Sequence, residues 1–302
     1  MILAKREAPK SQTAPTLPPI WNHADGDVVT TVTGGLILCT ALAVVTAGCG
    51  STAPRDEPAA VARVEERRPP PPQAAVRKTP VSAPAPTRCL AGAVRRLNGG
   101  ERATALVLDR PATAHRTPGG VVLARFGKLN VNGVPTVFRA LETRTGADCA
   151  PAWYRVQLPI RPNGATGWIK ATGTHSYTVD TRITIDLSER RVSVYRRGRL
   201  VESVAAAIGK PATPTPLGRY YVNQRLLAAD PTGPWGPGGI GISAFSPVLV
   251  DWAQGGPIAI HGTNRPESIG RRVSFGCVRV ANDDLRRLMK LAPPGTPVQI
   301  RS

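Results

Sequence analysis

The sequence predicts a mostly β protein: a small β module, closed most simply as a barrel, then a larger β-rich domain with one short helix near its C-terminus. Three observations predict it. Short apolar runs alternate with turn formers from residue 89 onward, apolar positions recur with period two after residue 181, and only residues 282–292 carry a helical stripe.

The small module spans residues 89–176. Its runs "TALVLD", "GVVLARF", "TVFRAL" and "WYRVQLPI" are separated by "TPGG", "VNG" and "RPNGATG", the Gly, Pro and Asn clusters that turn a chain between strands. Residues 177–302 form the larger domain. In "RITIDLSERRVSVYRRGRLV" the residues Ile183, Ile185 and Leu187, then Val192 and Val194, alternate with polar residues, and Ser188 to Arg190 and Arg197-Gly198 are turns, so this is a meander of half-buried strands. "AIGKPATPTPLGRYYV" follows, where prolines and Gly218 impose a rigid excursion before a strand at 219–222. Asn282 is a good helix N-cap, and Asp283 and Asp284 complement the helix dipole. Leu285, Leu288, Met289 and Ala292 make one buried stripe before "PPG" stops the helix.

The 302 residues include 31 prolines and 30 glycines and carry a formal charge of +19. Residues 89–302 hold 29 Lys/Arg against 13 Asp/Glu, so the basic surface belongs to the folded part. Such a surface suits an anionic cell envelope, membrane or polymer. Nucleic acid is the poorer partner, since there is no zinc-finger spacing, no aromatic RNA-binding signature and only 5% aromatics.

The N-terminal 49 residues read as a lead with an export signal or anchor. Residues 28–54 carry no charge, and 36–47, "LILCTALAVVTA", is a compact apolar run with Lys5, Arg6 and Lys10 on its N-terminal side. The run ends in "TAGCGS", which resembles the lipobox of bacterial lipoproteins and implies lipidation at Cys49. An uncleaved anchor is the alternative, because residues 28–47 approach the ~20 residues that cross a bilayer. In both cases the rest faces outward, membrane-anchored outside the cytoplasm. Residues 50–88, rich in Pro, Ala and charge, cannot bury enough apolar surface to fold and read as a semi-rigid tether.

The chain has five cysteines. Cys39 sits in the apolar run and Cys49 at the lipobox, and Cys89 and Cys149 flank the small module in an oxidising compartment, where a disulfide between them is expected. Cys277 is then left alone, sixteen residues after His261 in "HGTNRPESIGRRVSFGCVRV".

The chemistry turns on that stretch. A literal G-x-G-x-x-G at 236–241 has neither the entering strand nor the following helix that a dinucleotide site needs, and is better read as a glycine-rich loop carrying Trp235 over a substrate groove. No metal site is expected, with four histidines in the chain and one cysteine in the larger domain, and no cofactor is implied. Ser274 lies outside any G-x-S-x-G elbow, since Arg272 occupies the first glycine's place. A Cys/His pair fits better: a thiol attacks a carbonyl only as thiolate, so an imidazole must take its proton. Gly276 lets the backbone turn sharply so that amides can face an oxyanion, and Arg279 is placed to hold a carboxylate. Spacing alone leaves a buried structural cysteine with an unrelated histidine equally open.

His261-Gly262-Thr263, then Ile269-Gly270, then Ser274-Phe275-Gly276-Cys277-Val278-Arg279 and an acidic helix start together resemble the signature of the YkuD-type L,D-transpeptidases. The T-P-T-P-x-G loop and flanking strands extend the similarity over about 181–301, and "WYRVQLPIRPNGATGWIKA" resembles the SH3-like module that precedes the catalytic domain in actinobacterial-type cell-wall transpeptidases. The resemblance implies a peptidoglycan enzyme without cofactor. Cys277 would attack the carbonyl of the third stem residue, displacing D-Ala with His261 relaying the proton, and an acceptor stem amine would resolve the thioester into a 3→3 cross-link. Ser274, Phe275 and Gly276 would shape the nucleophile turn, and Arg279, Thr263, Asn264, Gly262 and Trp235 would contact substrate. Carbapenem acylation is implied as well. Water as acceptor would make the chain an L,D-carboxypeptidase, a protein lysine a protein-to-peptidoglycan transferase, and loss of turnover a wall-binding protein. Many members have His where this chain has Phe275, whose role the sequence leaves unassigned.

Overall fold

The computed structural model describes residues 21–23, 90–97, 99 and 101–302. The apolar run 28–47, Cys39, Cys49, Cys89 and the tether 50–88 lie outside the described residues. Among the described residues no helix is long and apolar enough to cross a membrane.

The chain is mostly β, with two large sheets and one α-helix, Asn282–Leu291, among the described residues. The first sheet is antiparallel and has eight strands. It runs from Val122–Phe126 through Ala112–His115, Thr166–Lys170, Pro151–Gln157, Val137–Thr145 and Ala103–Leu108 to Thr174–Val179, with Val94–Arg96 also pairing Val137–Thr145. Its core is Leu106, Leu108, Phe138, Val156, Leu158 and Ile169, all nearly or fully buried. Cys149 is disulfide-bonded, and the expected partner Cys89 lies outside the described residues. The last strand runs to Val179, and the next begins at Thr181, so the two sheets meet at Asp180.

The second sheet orders its strands as Arg199–Ala205, Arg191–Arg196, Thr181–Asp186, Pro297–Arg301, Gly218–Ala228, Gly238–Phe245, Pro257–His261 and Val278–Arg279, and Trp21–His23 pairs with the end of Gly218–Ala228. The period-two reading holds here: Ile183, Ile185, Val192 and Val194 point inward and are 0–1% exposed. The helix lays Leu285, Leu288 and Met289 on the same core, beside Ile240, Ile260 and Val280. Complete burial of one such leucine contributes about 1.5–3 kcal/mol.

Two elements differ from the sequence reading. Asn282 is the first helical residue and makes no cap. Ala281 is the N-cap position, without a side-chain bond, and the Asn282 Oδ1 accepts from the Thr263 N–H at 2.8 Å. The strand expected at 219–222 runs on as Gly218–Ala228 and enters the G-x-G-x-x-G stretch through a hairpin, so a strand does lead in. Gly236 nevertheless sits in the turn, where a Cβ would fall 2.1 Å from the Asn282 Oδ1, and Gly238 and Gly241 belong to a buried strand, Gly238–Phe245, where a Cβ at Gly238 would sit 2.3 Å from the Leu226 carbonyl oxygen. Close packing in the turn and the sheet accounts for them without a phosphate.

Candidate active site

The site forms where Pro257–His261 pairs in parallel with Val278–Arg279, Ile260 opposite Val278 and His261 opposite Arg279. That register sets Cys277 beside Ala259, two residues before His261 on the same face of the strand. The backbone N–H of Ala259 favours the thiolate of Cys277, and the sulfur is 3.9 Å from the Pro257 carbonyl oxygen. Cys277 is the free cysteine among the described residues.

The turn that carries Cys277 is held from several directions. Ser274 is buried, and its Oγ donates to the Cys277 carbonyl at 2.5 Å while accepting from the Gly276 N–H at 3.1 Å. Gly276 adopts φ +115°, a conformation open to glycine and strained for other residues. Behind the turn stands the proline-rich loop. Thr215 Oγ1 donates to the Gly276 carbonyl at 2.9 Å and accepts from the Gly209 N–H at 2.9 Å. Thr213 Oγ1 and the Lys210 N–H both donate to the Ser274 carbonyl, at 3.1 and 3.0 Å. The sequence reading missed Thr213 and Thr215 as supports, although the fixed φ of the interleaved prolines marked the loop as rigid. With those carbonyls engaged, the Cys277 N–H makes no hydrogen bond among the described residues.

His261 is 5% exposed. Its Nδ1 lies 2.6 Å from the Gly262 carbonyl oxygen, which can only accept, so Nδ1 carries the proton and Nε2 keeps its lone pair. Burial is the main cause that lowers the His261 pKa to about 4; the Arg279 charge adds to the shift and the Gly262 bond opposes it. Burial likewise pushes the Cys277 thiol up, against the Ala259 N–H and the Arg279 charge, which pull it down. The resting pair is therefore neutral thiol and neutral imidazole. Trp235 covers the histidine, with ring centroids 4.4 Å apart. Gly262 has no room for a side chain, since a Cβ would fall 2.4 Å from the Asn282 Oδ1.

Arg279, two residues after Cys277, lines an open cleft of about 230 Å³ together with Pro234, Thr263, Asn264 and Arg265. The lining holds two guanidinium groups and no carboxylate, and the Arg279 Nε is buried without a partner. Thr263 is buried and its Oγ1 accepts from the Arg265 N–H at 3.0 Å, while Asn264 is exposed. Phe275 is not one of the residues lining this cleft: it is 46% exposed, with its ring 5.6 Å from Trp252 and the Lys210 ammonium 4.4 Å from its centroid.

The family model of the YkuD L,D-transpeptidase catalytic domain matches residues 180–300. A putative L,D-transpeptidase YkuD of Bacillus licheniformis is 37% identical over 123 residues, which are 41% of this chain and 67% of that protein. The chain belongs to the YkuD family of L,D-transpeptidases. A putative YkuD of Bacillus subtilis is 32% identical over 41% of this chain and 68% of its own length. The chain spans less of the probable L,D-transpeptidase ErfK/SrfK of Escherichia coli, 44% at 33% identity. Among solved structures, the Enterococcus faecium L,D-transpeptidase catalytic domain is 24% identical, covering 40% of this chain and 97% of that one at a TM-score of 0.30. As a YkuD-family domain, residues 180–300 contain the Cys277 turn, the His261 strand and the Arg279 cleft, and the N-terminal sheet lies outside the match.

Proposed function

We propose that this chain is a peptidoglycan L,D-transpeptidase that forms 3→3 cross-links through a thioester on Cys277. The observation that carries the reading is the Nδ1 bond of His261 to Gly262, which leaves Nε2 as the acceptor on the strand beside the Cys277 sulfur. Nε2 takes the thiol proton as sulfur attacks the carbonyl of the third stem residue. The Cys277 N–H is a donor for the oxyanion that forms. As the tetrahedral adduct collapses, the imidazolium returns the proton to the leaving amine, D-Ala departs and the thioester remains. An acceptor amine then attacks the thioester, gives its proton to His261, and the sulfur leaves as thiol.

The cleft supports a donor carrying a free carboxylate, because its lining offers Arg279 and Arg265 without an internal counter-ion. A location outside the cytoplasm, facing the wall, is supported by the disulfide at Cys149, by the basic folded part and by the apolar run before the tether. Anchoring through that run or through a lipid on Cys49 rests on the sequence.

The test is incubation of the full chain with purified disaccharide tetrapeptides and mass analysis of the products. The wild type is expected to yield 3→3 dimers and free D-Ala, and Cys277→Ala neither. Dimers at the wild-type rate from Cys277→Ala would overturn the reading. Tripeptide without dimer would replace it by a carboxypeptidase, and stem peptide linked to an added protein lysine by a protein transferase.

A further inference from the structure

Between the strands Gly238–Phe245 and Pro257–His261 the chain leaves the sheet as a strap of residues 246–256. The strap closes at its neck, where the Ser246 N–H donates to the Gly256 carbonyl at 2.8 Å. Side chains of the N-terminal sheet's loops hold that neck. One nitrogen of Arg161, Nη2, donates to the Ser246 carbonyl at 2.7 Å and to the Gly255 carbonyl at 2.8 Å, spanning both arms. Its guanidinium also lies 5.3 Å from the Phe245 ring centroid. Asn163 pairs with Phe245 as a neighbouring strand would, its Nδ2 donating to the Phe245 carbonyl at 2.8 Å and its Oδ1 accepting the Phe245 N–H at 2.9 Å. A further tie runs from Gln254 Nε2 to the Asn132 Oδ1 at 3.2 Å.

The far end of the strap reaches the nucleophile turn. Trp252 is 53% exposed and packs against Phe275 with the rings tilted by 45°, two residues before Cys277. Pro257, the first residue after the strap, presents its carbonyl 3.9 Å from the Cys277 sulfur. Among the described residues, the guanidinium that bridges the two arms of the neck thus comes from outside the family-matched segment, and the strap it closes sets Trp252 against Phe275, two residues before Cys277.

From this geometry we infer that Arg161 is a positioning residue for stem-peptide turnover: by bridging the neck it holds Trp252 against Phe275 as a wall along which substrate lies next to Cys277. The inference rests on the transpeptidase reading. Charge-assisted bonds to two carbonyls fix the spacing of the arms, and misplacing a wall by about 1 Å can cost up to ~100-fold in rate.

The test compares Arg161→Ala, Trp252→Ala and the double variant in the full chain. Each single variant is expected to lower kcat/KM for the tetrapeptide donor about tenfold while leaving the iodoacetamide reaction rate of Cys277 unchanged, because that small reagent does not need the wall. The double variant is expected to lose no more than Trp252→Ala alone, since both changes remove one device. Wild-type kcat/KM in Arg161→Ala, or losses that multiply in the double variant, would overturn the inference. Hydrogen exchange across residues 246–256 gives a readout free of turnover: it rises in Arg161→Ala if the neck is held as inferred, and unchanged exchange also overturns it. If the wild type turns over no stem peptide while exchange responds, the transpeptidase reading is what fails.

Discussion

The Nδ1 of His261 donates its proton to the carbonyl oxygen of Gly262 at 2.6 Å, the residue that follows it in the chain. This short bond sets the tautomer, and burial keeps the ring neutral while also pushing the Cys277 thiol up. Cys277 therefore rests as a thiol, which under the proposed mechanism loses its proton during attack. Alkylation of Cys277 by iodoacetamide is expected to speed up continuously with pH past the ordinary thiol value of about 8.5. A rate that is flat from about pH 5 to 7 would mean a preformed thiolate–imidazolium pair and would contradict this. Arg279 lowers the thiol pKa, so Arg279→Gln is expected to move the profile to still higher pH.

The same histidine makes stability depend on pH. Its pKa is about 4 in the folded chain, against about 6.5 when unfolded, so the unfolded state binds the proton more tightly between those values. The stabilisation is complete above about pH 6.5 and is lost as pH falls through about 4, amounting to roughly 3 kcal/mol. Urea unfolding of wild type and His261→Gln at the two ends of that window checks it. The wild type is expected to lose stability towards acid more steeply than the variant.

Thr215 joins Gly276 to Gly209 through one hydroxyl. Thr215→Ala leaves a buried carbonyl and a buried N–H unpaired, an expected loss of about 1–3 kcal/mol in urea unfolding, with slower acylation of Cys277. Thr215→Ser keeps both bonds and is expected to stay near wild type in rate.

Gly276 gives the turn its positive φ. At φ +115°, and with an added Cβ 3.1 Å from the Ile258 Cδ1, Gly276→Ala is expected to cost about 1–3 kcal/mol and to suppress thioester formation. A variant with wild-type unfolding midpoint and wild-type acylation would show that this backbone conformation is dispensable.

Elements whose partners are close in sequence were readable from it. Ile183, Ile185, Val192 and Val194 alternate over a tight hairpin, and Leu285 and Leu288 repeat at helical spacing, so each pattern names its buried face. The spacing of His261 and Cys277 was visible too, although spacing alone left a structural thiol open. What escaped depends on distant pairing. Gly238–Phe245 is a strand although its glycines disfavour one, because Gly218–Ala228 and Pro257–His261 flank it on both sides. The strand from Gly218 outran the 219–222 reading because a register shift after Val222 breaks the alternation there. Asn282 had the composition of a cap, yet its side chain is taken by Thr263, nineteen residues away. Phe275 had no assignable role until Trp252 and Lys210 were seen against its ring.

The central claim is that Cys277 forms a thioester with the donor stem. Intact-protein mass spectrometry of the full chain quenched during reaction with a tetrapeptide donor tests it most directly. The expected result is an adduct with the mass of the stem minus D-Ala, mapped to Cys277 and absent from Cys277→Ala. Release of D-Ala with Cys277 unmodified, at a rate that Cys277→Ala retains, would contradict it.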